Sequence, residues 1–187
     1  MVLKVSETLL PSVLVLEPEV FSDGRGYFSE SFNARDFQAA TTRSCSFVQD
    51  NHSKSVFGVL RGLHYQVKRP QGKLVRVVEG SIFDVAVDIR EGSPSFGKWY
   101  GVELSADNKK QLWVPPNFAH GFLVVSEAAQ VLYKATDYYA PEHERSIQWN
   151  DPDIGIVWPE LSVSPLLSLK DKQAAPLNKA ELPKFIR

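Results

Sequence analysis

Four stretches of the chain set ionisable side chains into runs that are otherwise apolar. The first begins with Gln49, Asp50, Asn51, His52 and Ser53 and continues through Gly58-Val59-Leu60-Arg61-Gly62-Leu63-His64-Tyr65-Gln66. A guanidinium and an imidazole in such a run need partners, because burying either alone is costly. Strict alternation would send Arg61 and His64 to opposite faces of a strand. A bulge at Gly62 would bring them to one face, which is the usual meaning of a glycine inside a strand. In the second stretch, Asp23-Gly24-Arg25-Gly26, a glycine-flanked Arg25 sits in a turn and is followed by Glu30 on a strand. The third, Pro115-Pro116-Asn117-Phe118-Ala119-His120-Gly121-Phe122, uses a proline-set turn to deliver His120 onto a strand. The fourth, from Tyr133 to Tyr139, is rich in phenols. Imidazoles and phenols placed this way suit proton transfer. Taken one at a time, each stretch also reads as ordinary structure: a satisfied core histidine, a hairpin turn, rim aromatics.

Metal chemistry finds little support. A His-x-His pair joined by a glutamate and a distant histidine would mark a metal centre, but His64 is followed by Tyr65 and Gln66. His64 and His120 then fall short of the three protein ligands of a catalytic zinc site. A two-histidine, one-carboxylate iron site would need Asp84 or another distant residue. No nucleophile elbow, P-loop or dinucleotide-binding glycine fingerprint occurs, so acyl transfer, phosphoryl transfer and nicotinamide chemistry are not indicated.

The elements that must position these residues are short β-like runs between turn signals: 13–16, 27–32, 47–51, 59–65, 74–78, 82–89, 100–104, 111–114, 121–125, 130–135 and 146–149. Such spacing points to a sandwich or barrel. The clearest is 82–89, with Phe83, Val85, Val87 and Ile89 on one face and Asp84, Ala86 and Asp88 on the other. With Glu79-Gly80-Ser81 before it, it is expected to form a hairpin with 74–78. Helix is scarce: Asn33 can cap a short one through Ala40, and 178–182 can make a last turn before Pro183. The segment 159–187 is expected to be an appendage on a single β-domain covering 1–187.

The chain has 187 residues, 43% of them apolar, enough for one sizeable core. Lys plus Arg number 21 against 22 Asp plus Glu, interspersed, so no nucleic-acid-binding surface is indicated. No run approaches a membrane span and no signal peptide is evident, so a cytoplasmic protein is expected. The single cysteine, Cys45, cannot pair within the chain and is expected to be a small buried hydrophobe.

In combination, the motifs resemble the dTDP-4-dehydrorhamnose 3,5-epimerase family. They are Asp23-Gly24-Arg25-Gly26, Gln49-Asp50-Asn51, Gly58-Val59-Leu60-Arg61-Gly62-Leu63-His64, Gly72-Lys73-Leu74-Val75, Phe83-Asp84-Val85, Phe118-Ala119-His120-Gly121-Phe122 and Ile147-Gln148-Trp149-Asn150-Asp151, in that order along the chain. The resemblance implies an all-β, cupin-like jelly roll, a double-sheet barrel with short flanking helices. It implies His64 as the proton-abstracting base, Tyr133 as the proton donor and Asp171 as the carboxylate beside the base. On the residues alone, Asp84 is the alternative partner of His64. The resemblance also implies that Arg25, Glu30, Gln49, Asp50, Asn51, Arg61, Lys73, His120, Glu144 and Lys170 contact the sugar nucleotide, and that Tyr139 stacks on its base. It further implies a homodimer in which the N-terminal strands, within 1–50, join the partner.

The expected substrate is a dTDP-4-keto-6-deoxyhexose. A hydrogen beside its ketone is too weakly acidic to leave in neutral water, so the site must supply a base and stabilise the enolate oxygen. A cation near Tyr133 would be expected to lower its pKa from about 10. Arg25, Arg61 and Lys170 would meet the pyrophosphate. The ketone itself is the electron sink, so no cofactor and no metal are expected. Three rival readings remain: a single-carbon epimerase or 3,4-ketoisomerase, a non-catalytic sugar-binding domain, and a metal-dependent oxygenase or isomerase.

Overall fold

In the computed structural model, residues 3–41 and 46–185 are described. Cys45 lies outside them. Two antiparallel sheets face one another. The larger runs in the order β1 (Leu3–Glu7), β2 (Leu14–Pro18), β10 (Gln111–Val114), β7 (Lys73–Glu79), β12 (Ala128–Ala135), β5 (Gln49–Val56). The smaller runs β13 (Glu144–Ser146), β6 (Leu60–Gln66), β11 (Phe118–Val124), β8 (Ser81–Asp88), β9 (Trp99–Ser105). A separate hairpin pairs β3 (Val20–Asp23) with β4 (Gly26–Ser29). This is the expected mostly-β, double-sheet jelly roll, except that the two sheets do not close into a barrel.

Alternation along each strand decides what fills the space between the sheets. Ile82 and Ala86 of β8 pack there against Val75, Val77, Leu112 and Val114 of the larger sheet. Val85, Val87 and Ile89 point the other way, onto Ile154, Leu177, Trp158 and Leu182 from the C-terminal segment. The smaller sheet is therefore buried on both faces, and Asp84 and Asp88 lie on its inner face, fully buried.

The hairpin expected between 74–78 and 82–89 does not form. β7 pairs with β10 and β12, whereas β8 pairs with β9 and β11. Gly80 carries the chain from one sheet to the other at φ +71°, so close to Ala128 that a Cβ would fall 1.9 Å from its carbonyl oxygen. Glu79-Gly80-Ser81 has turn chemistry that serves a crossing as well as a hairpin.

α1 (Ala34–Thr41) forms within one residue of the expected bounds. Asn33 Oδ1 caps it, accepting from the backbone N–H of Arg35 (3.1 Å) and Asp36 (3.3 Å). Its Phe37 meets Phe47 and Trp113 edge-on, each at 5.1 Å between centroids, on the outer face of the larger sheet. The C-terminal segment is tied to the sheets by parallel bridges from Leu166 to Val59, Ala175 to Ile147 and Lys184 to Glu91. It also contains α2 (Leu169–Lys172), a turn of helix with no counterpart in the sequence reading, while the expected last turn appears as a 3₁₀ turn at Leu177–Lys179. Among the described residues no helix is long and apolar enough to cross a membrane.

Candidate active site

The bulge expected at Gly62 is present. His120 on β11 stands opposite His64, and Phe122 opposite Arg61, so three steps on β6 match two on β11. Gly62 has φ +129°, and a Cβ there would fall 2.5 Å from Gly121 Cα, so the close approach of the two strands excludes a side chain. The bulge turns Arg61 and His64 to the same inner side. Arg61 Nε donates to Ser55 Oγ on the larger sheet at 3.1 Å.

His64 lines a cleft of about 500 Å³, part of it open to solvent, at one end of the sandwich. Lys73, Tyr133, Tyr139 and Glu144 line it too. His64 comes from the smaller sheet, and Tyr133 and Lys73 from the larger, so the imidazole and the phenol stand on opposite walls. His64 Nε2 lies 2.5 Å from Asp171 Oδ1. Asp84 pairs instead with His120, whose Nε2 lies 2.8 Å from Asp84 Oδ1. The two candidate carboxylates thus serve different histidines.

Burial lowers the pKa of His64. The bond to Asp171 and its charge raise it, the cations Lys170 and Lys73 lower it, and the net direction is down from 6.5. The ring is accordingly neutral at pH 7. With Nε2–H donated to the Asp171 carboxylate, Nδ1 keeps its lone pair for a proton. Burial pushes the Asp171 carboxyl up, but His64, Ser168 and Lys170 together hold it below the usual carboxylate value.

Tyr133 departs from expectation. Burial raises its pKa, the charge of Glu144 adds to the rise, and Arg61 only partly opposes them. The cation expected to lower it is present but does not win, so the phenol is fully protonated at neutral pH. Lys73 Nζ sits 5.7 Å from the centroid of the Tyr133 ring. Burial pulls the Lys73 ammonium down to about 8, against the attraction of Glu144 and Asp84.

A second layer holds the rim. Glu144 Oε2 accepts from Tyr139 Oη at 2.7 Å and from Lys170 Nζ at 2.5 Å. The Glu144 bond is the main reason the Tyr139 phenol is pushed up to about 12. Gln49 Oε1 accepts from the Tyr139 backbone N–H at 2.9 Å, and Gln49 Nε2 donates to Asn51 Oδ1 at 2.9 Å. Asn51 is the cross-strand neighbour of Tyr133, and its amide nitrogen is buried with no hydrogen-bond partner.

Of the expected contacts, Lys73, Tyr139 and Glu144 line the cleft, Gln49, Asn51, Arg61, His120 and Lys170 stand behind or beside its lining, and Asp50, Arg25 and Glu30 stand apart from it. Alternation along β5 turns Asp50 to the outer face, where Lys134 Nζ pairs with it at 3.0 Å. Arg25 is almost fully exposed on the β3–β4 turn and paired with Asp23 at 2.6 Å. Glu30 follows that hairpin and accepts from Asn33 Nδ2 at 3.3 Å.

Two contributors were missed. Gln66, buried, donates to the carbonyl of Arg69 and accepts from the N–H of Ala140, holding the loop that carries Tyr139. Its signal was a polar side chain ending a buried run. Ser168 hydrogen-bonds Asp171, and the spacing Ser168-x-x-Asp171 was legible as a helix-start signal. Among the described residues no three His, Cys, Asp or Glu side chains converge as metal ligands.

The family model described as dTDP-4-dehydrorhamnose 3,5-epimerase matches residues 7–179. A dTDP-4-dehydrorhamnose 3,5-epimerase of Pseudomonas aeruginosa is 58% identical over 171 residues, covering 91% of this chain and 94% of that protein. The crystal structure of dTDP-6-deoxy-D-glucose-3,5-epimerase from Legionella pneumophila, in complex with dTDP-4-keto-L-rhamnose, superposes with a TM-score of 0.96. The two are 48% identical, over 99% of this chain and 100% of that one. A 3'-monoepimerase from Streptomyces bikiniensis, in complex with dTDP-quinovose, has a TM-score of 0.89 at 35% identity, over 95% and 91% of the two chains. With an imidazole and a phenol facing each other across one cleft of a jelly roll that these relatives share nearly end to end, the chain belongs to the dTDP-4-dehydrorhamnose 3,5-epimerase family.

Proposed function

We propose that the protein inverts C3 and C5 of dTDP-4-dehydro-6-deoxy-D-glucose, giving dTDP-4-dehydro-L-rhamnose for dTDP-L-rhamnose synthesis. The observation that carries this reading is the placement of His64 and Tyr133 on opposite walls of one cleft. Inversion needs a proton removed from one face of a carbon and another returned to the opposite face.

His64 Nδ1 takes the proton from the carbon beside the ketone. The C–H electron pair becomes the enolate double bond, and the carbonyl π pair moves to the C4 oxygen. Lys73, which lines the cleft with His64, and His120, the cross-strand neighbour of His64, are assigned to that oxyanion. The Tyr133 phenol then protonates the carbon from the other side as the enolate returns to the ketone; His64 gives its proton up to solvent and the Tyr133 phenolate takes one back, and the same sequence then repeats at the second carbon. Asp171 holds the His64 tautomer and stabilises the imidazolium. Arg61 and Lys170 are assigned to the pyrophosphate, with Gln49, Asn51, Tyr139 and Glu144 around the nucleotide. Arg25 and Glu30, outside this chain's cleft, are assigned to the neighbouring subunit's site in a cytoplasmic homodimer.

Proton NMR of dTDP-4-keto-6-deoxyglucose incubated with the protein in deuterated water tests the reaction. Deuterium at both C3 and C5 with inversion, unaffected by chelator, is the expected result. Exchange at one carbon would make the protein a single-site epimerase. Binding without exchange would overturn the base assignment for this substrate.

A further inference from the structure

Asp171 has both carboxylate oxygens engaged. Oδ1 faces His64 Nε2 at 2.5 Å, while Oδ2 accepts from Ser168 Oγ at 2.8 Å. The same Ser168 oxygen accepts the Asp171 backbone N–H at 3.1 Å, so side chain and main chain of Asp171 are gripped by one hydroxyl. Ser168 is the N-cap of α2, with φ −65° and ψ 163°, and its carbonyl accepts from Lys172 N–H at 3.0 Å. Two residues upstream, Leu166 exchanges backbone hydrogen bonds with the β5–β6 turn: its N–H donates to the Gly58 carbonyl and its carbonyl accepts from Leu60. The hydroxyl is thereby fixed to the sheet that carries His64. In an ordinary capping box the acid reaches back to the cap's own N–H. Here the acid turns the other way, into the site.

A carboxylate on a single methylene turns freely about two torsions unless both oxygens are held. One bond to an imidazole sets a distance; a second bond, on the other oxygen, sets the carboxylate plane and with it the direction in which the ring must present its N–H. We propose that Ser168 is a positioning residue, whose hydroxyl locks the Asp171 carboxylate so that His64 keeps its proton on Nε2 and its lone pair on Nδ1. This rests on the assignment of His64 as the base. The other charged groups acting on the pair are Lys73, Lys170 and Glu144, none of which bonds Asp171 Oδ2.

The test compares wild type with Ser168→Gly, which keeps most of the capping propensity without the hydroxyl, and Ser168→Thr, which restores a hydroxyl. Nitrogen-15 spectra of the His64 ring across pH, without substrate, report the tautomer; deuterium wash-in reports kcat and KM. Ser168→Gly is expected to give a mixed tautomer, an acid limb of kcat moved to lower pH, and kcat down about tenfold at unchanged KM. Ser168→Thr is expected to return all three toward wild type. A wild-type ring spectrum and kcat in Ser168→Gly, with only the melting temperature lowered, would reduce Ser168 to a helix cap and overturn the proposal. If wild type shows no exchange yet the ring spectra change in Ser168→Gly and recover in Ser168→Thr, the linkage stands and the base assignment falls.

Discussion

Two histidine–carboxylate pairs stand side by side on neighbouring strands, and they are built from different parts of the chain. His120 and Asp84 come from adjacent strands of one sheet, with side-chain exposures of 8% and 0%. His64 comes from the next strand and takes its carboxylate from the C-terminal segment, with exposures of 25% and 3%. The sheet-borne pair is the more deeply buried, and Asp84 Oδ2 is buried with no hydrogen-bond partner. The tail-borne pair has a buried carboxylate with both oxygens bonded and an imidazole that reaches the cleft. A general base needs an accessible lone pair and a fixed tautomer together. Only the second pair has both, which supports the proposed assignment of proton abstraction to His64 and of a supporting role to His120.

Breaking that comparison starts with the base. His64→Asn should lower kcat for exchange at both carbons by about 10³-fold, ~4 kcal/mol of transition-state stabilisation, whereas dTDP binding stays near wild type. Retained exchange would move the base elsewhere. Next in size is Asp171→Asn, expected to cost about 10²-fold in kcat because an amide can donate to Nε2 and favour the wrong tautomer. Its acid limb should also shift to lower pH, since His64 loses the partner that opposes burial.

Tyr133→Phe sharpens the contrast between the two walls. Exchange at the carbon facing His64 should persist, read by deuterium wash-in, while inverted product falls about 10²-fold. Inversion at the wild-type rate would assign the second acid to another group. Asp84→Asn should be the mildest of the substitutions in kcat, about tenfold at most, and should appear mainly as a lowered melting temperature because it disturbs a fully buried pair. A larger kcat loss than Asp171→Asn would reverse the ranking of the two pairs.

The pH profile gives the smallest effect. His64 is depressed in the fold, so its neutral, active form persists below pH 6.5, and activity falls only as pH drops through that lowered value. Lys73 titrates at about 8, so the positive charge beside Tyr133 is lost as pH rises through that point. The expected profile of kcat is a bell with its acid limb below 6.5 and its alkaline limb near 8. An acid limb above 6.5 would contradict a buried, neutral His64.

Much of the candidate site was legible because its residues violate local patterns. Arg61 and His64 sit in a run that should be apolar, and Gly62 between them foretold the bulge that turns both inward. Asp50 was grouped with Gln49 and Asn51 by motif, whereas the period-two alternation that sends those two inward turns Asp50 outward. The Gly80 hairpin failed because turn residues state that the chain reverses, not which sheet receives it. The behaviour of Tyr133 was misjudged because burial, which outweighs Arg61, is a property of the packed fold.

The sequence by itself determined the strand-rich class, which residues share each face of β8, the helix capped by Asn33 and the set of residues able to move protons. All of these are local: alternation, caps and residue chemistry act over a few positions. The tertiary structure alone decided which carboxylate meets which histidine. Asp171 lies 107 positions from His64 and Asp84 36 positions from His120, and no local pattern encodes pairings across such separations. Packing the C-terminal segment against the smaller sheet brings Asp171 and Ser168 to the one histidine that the cleft leaves open.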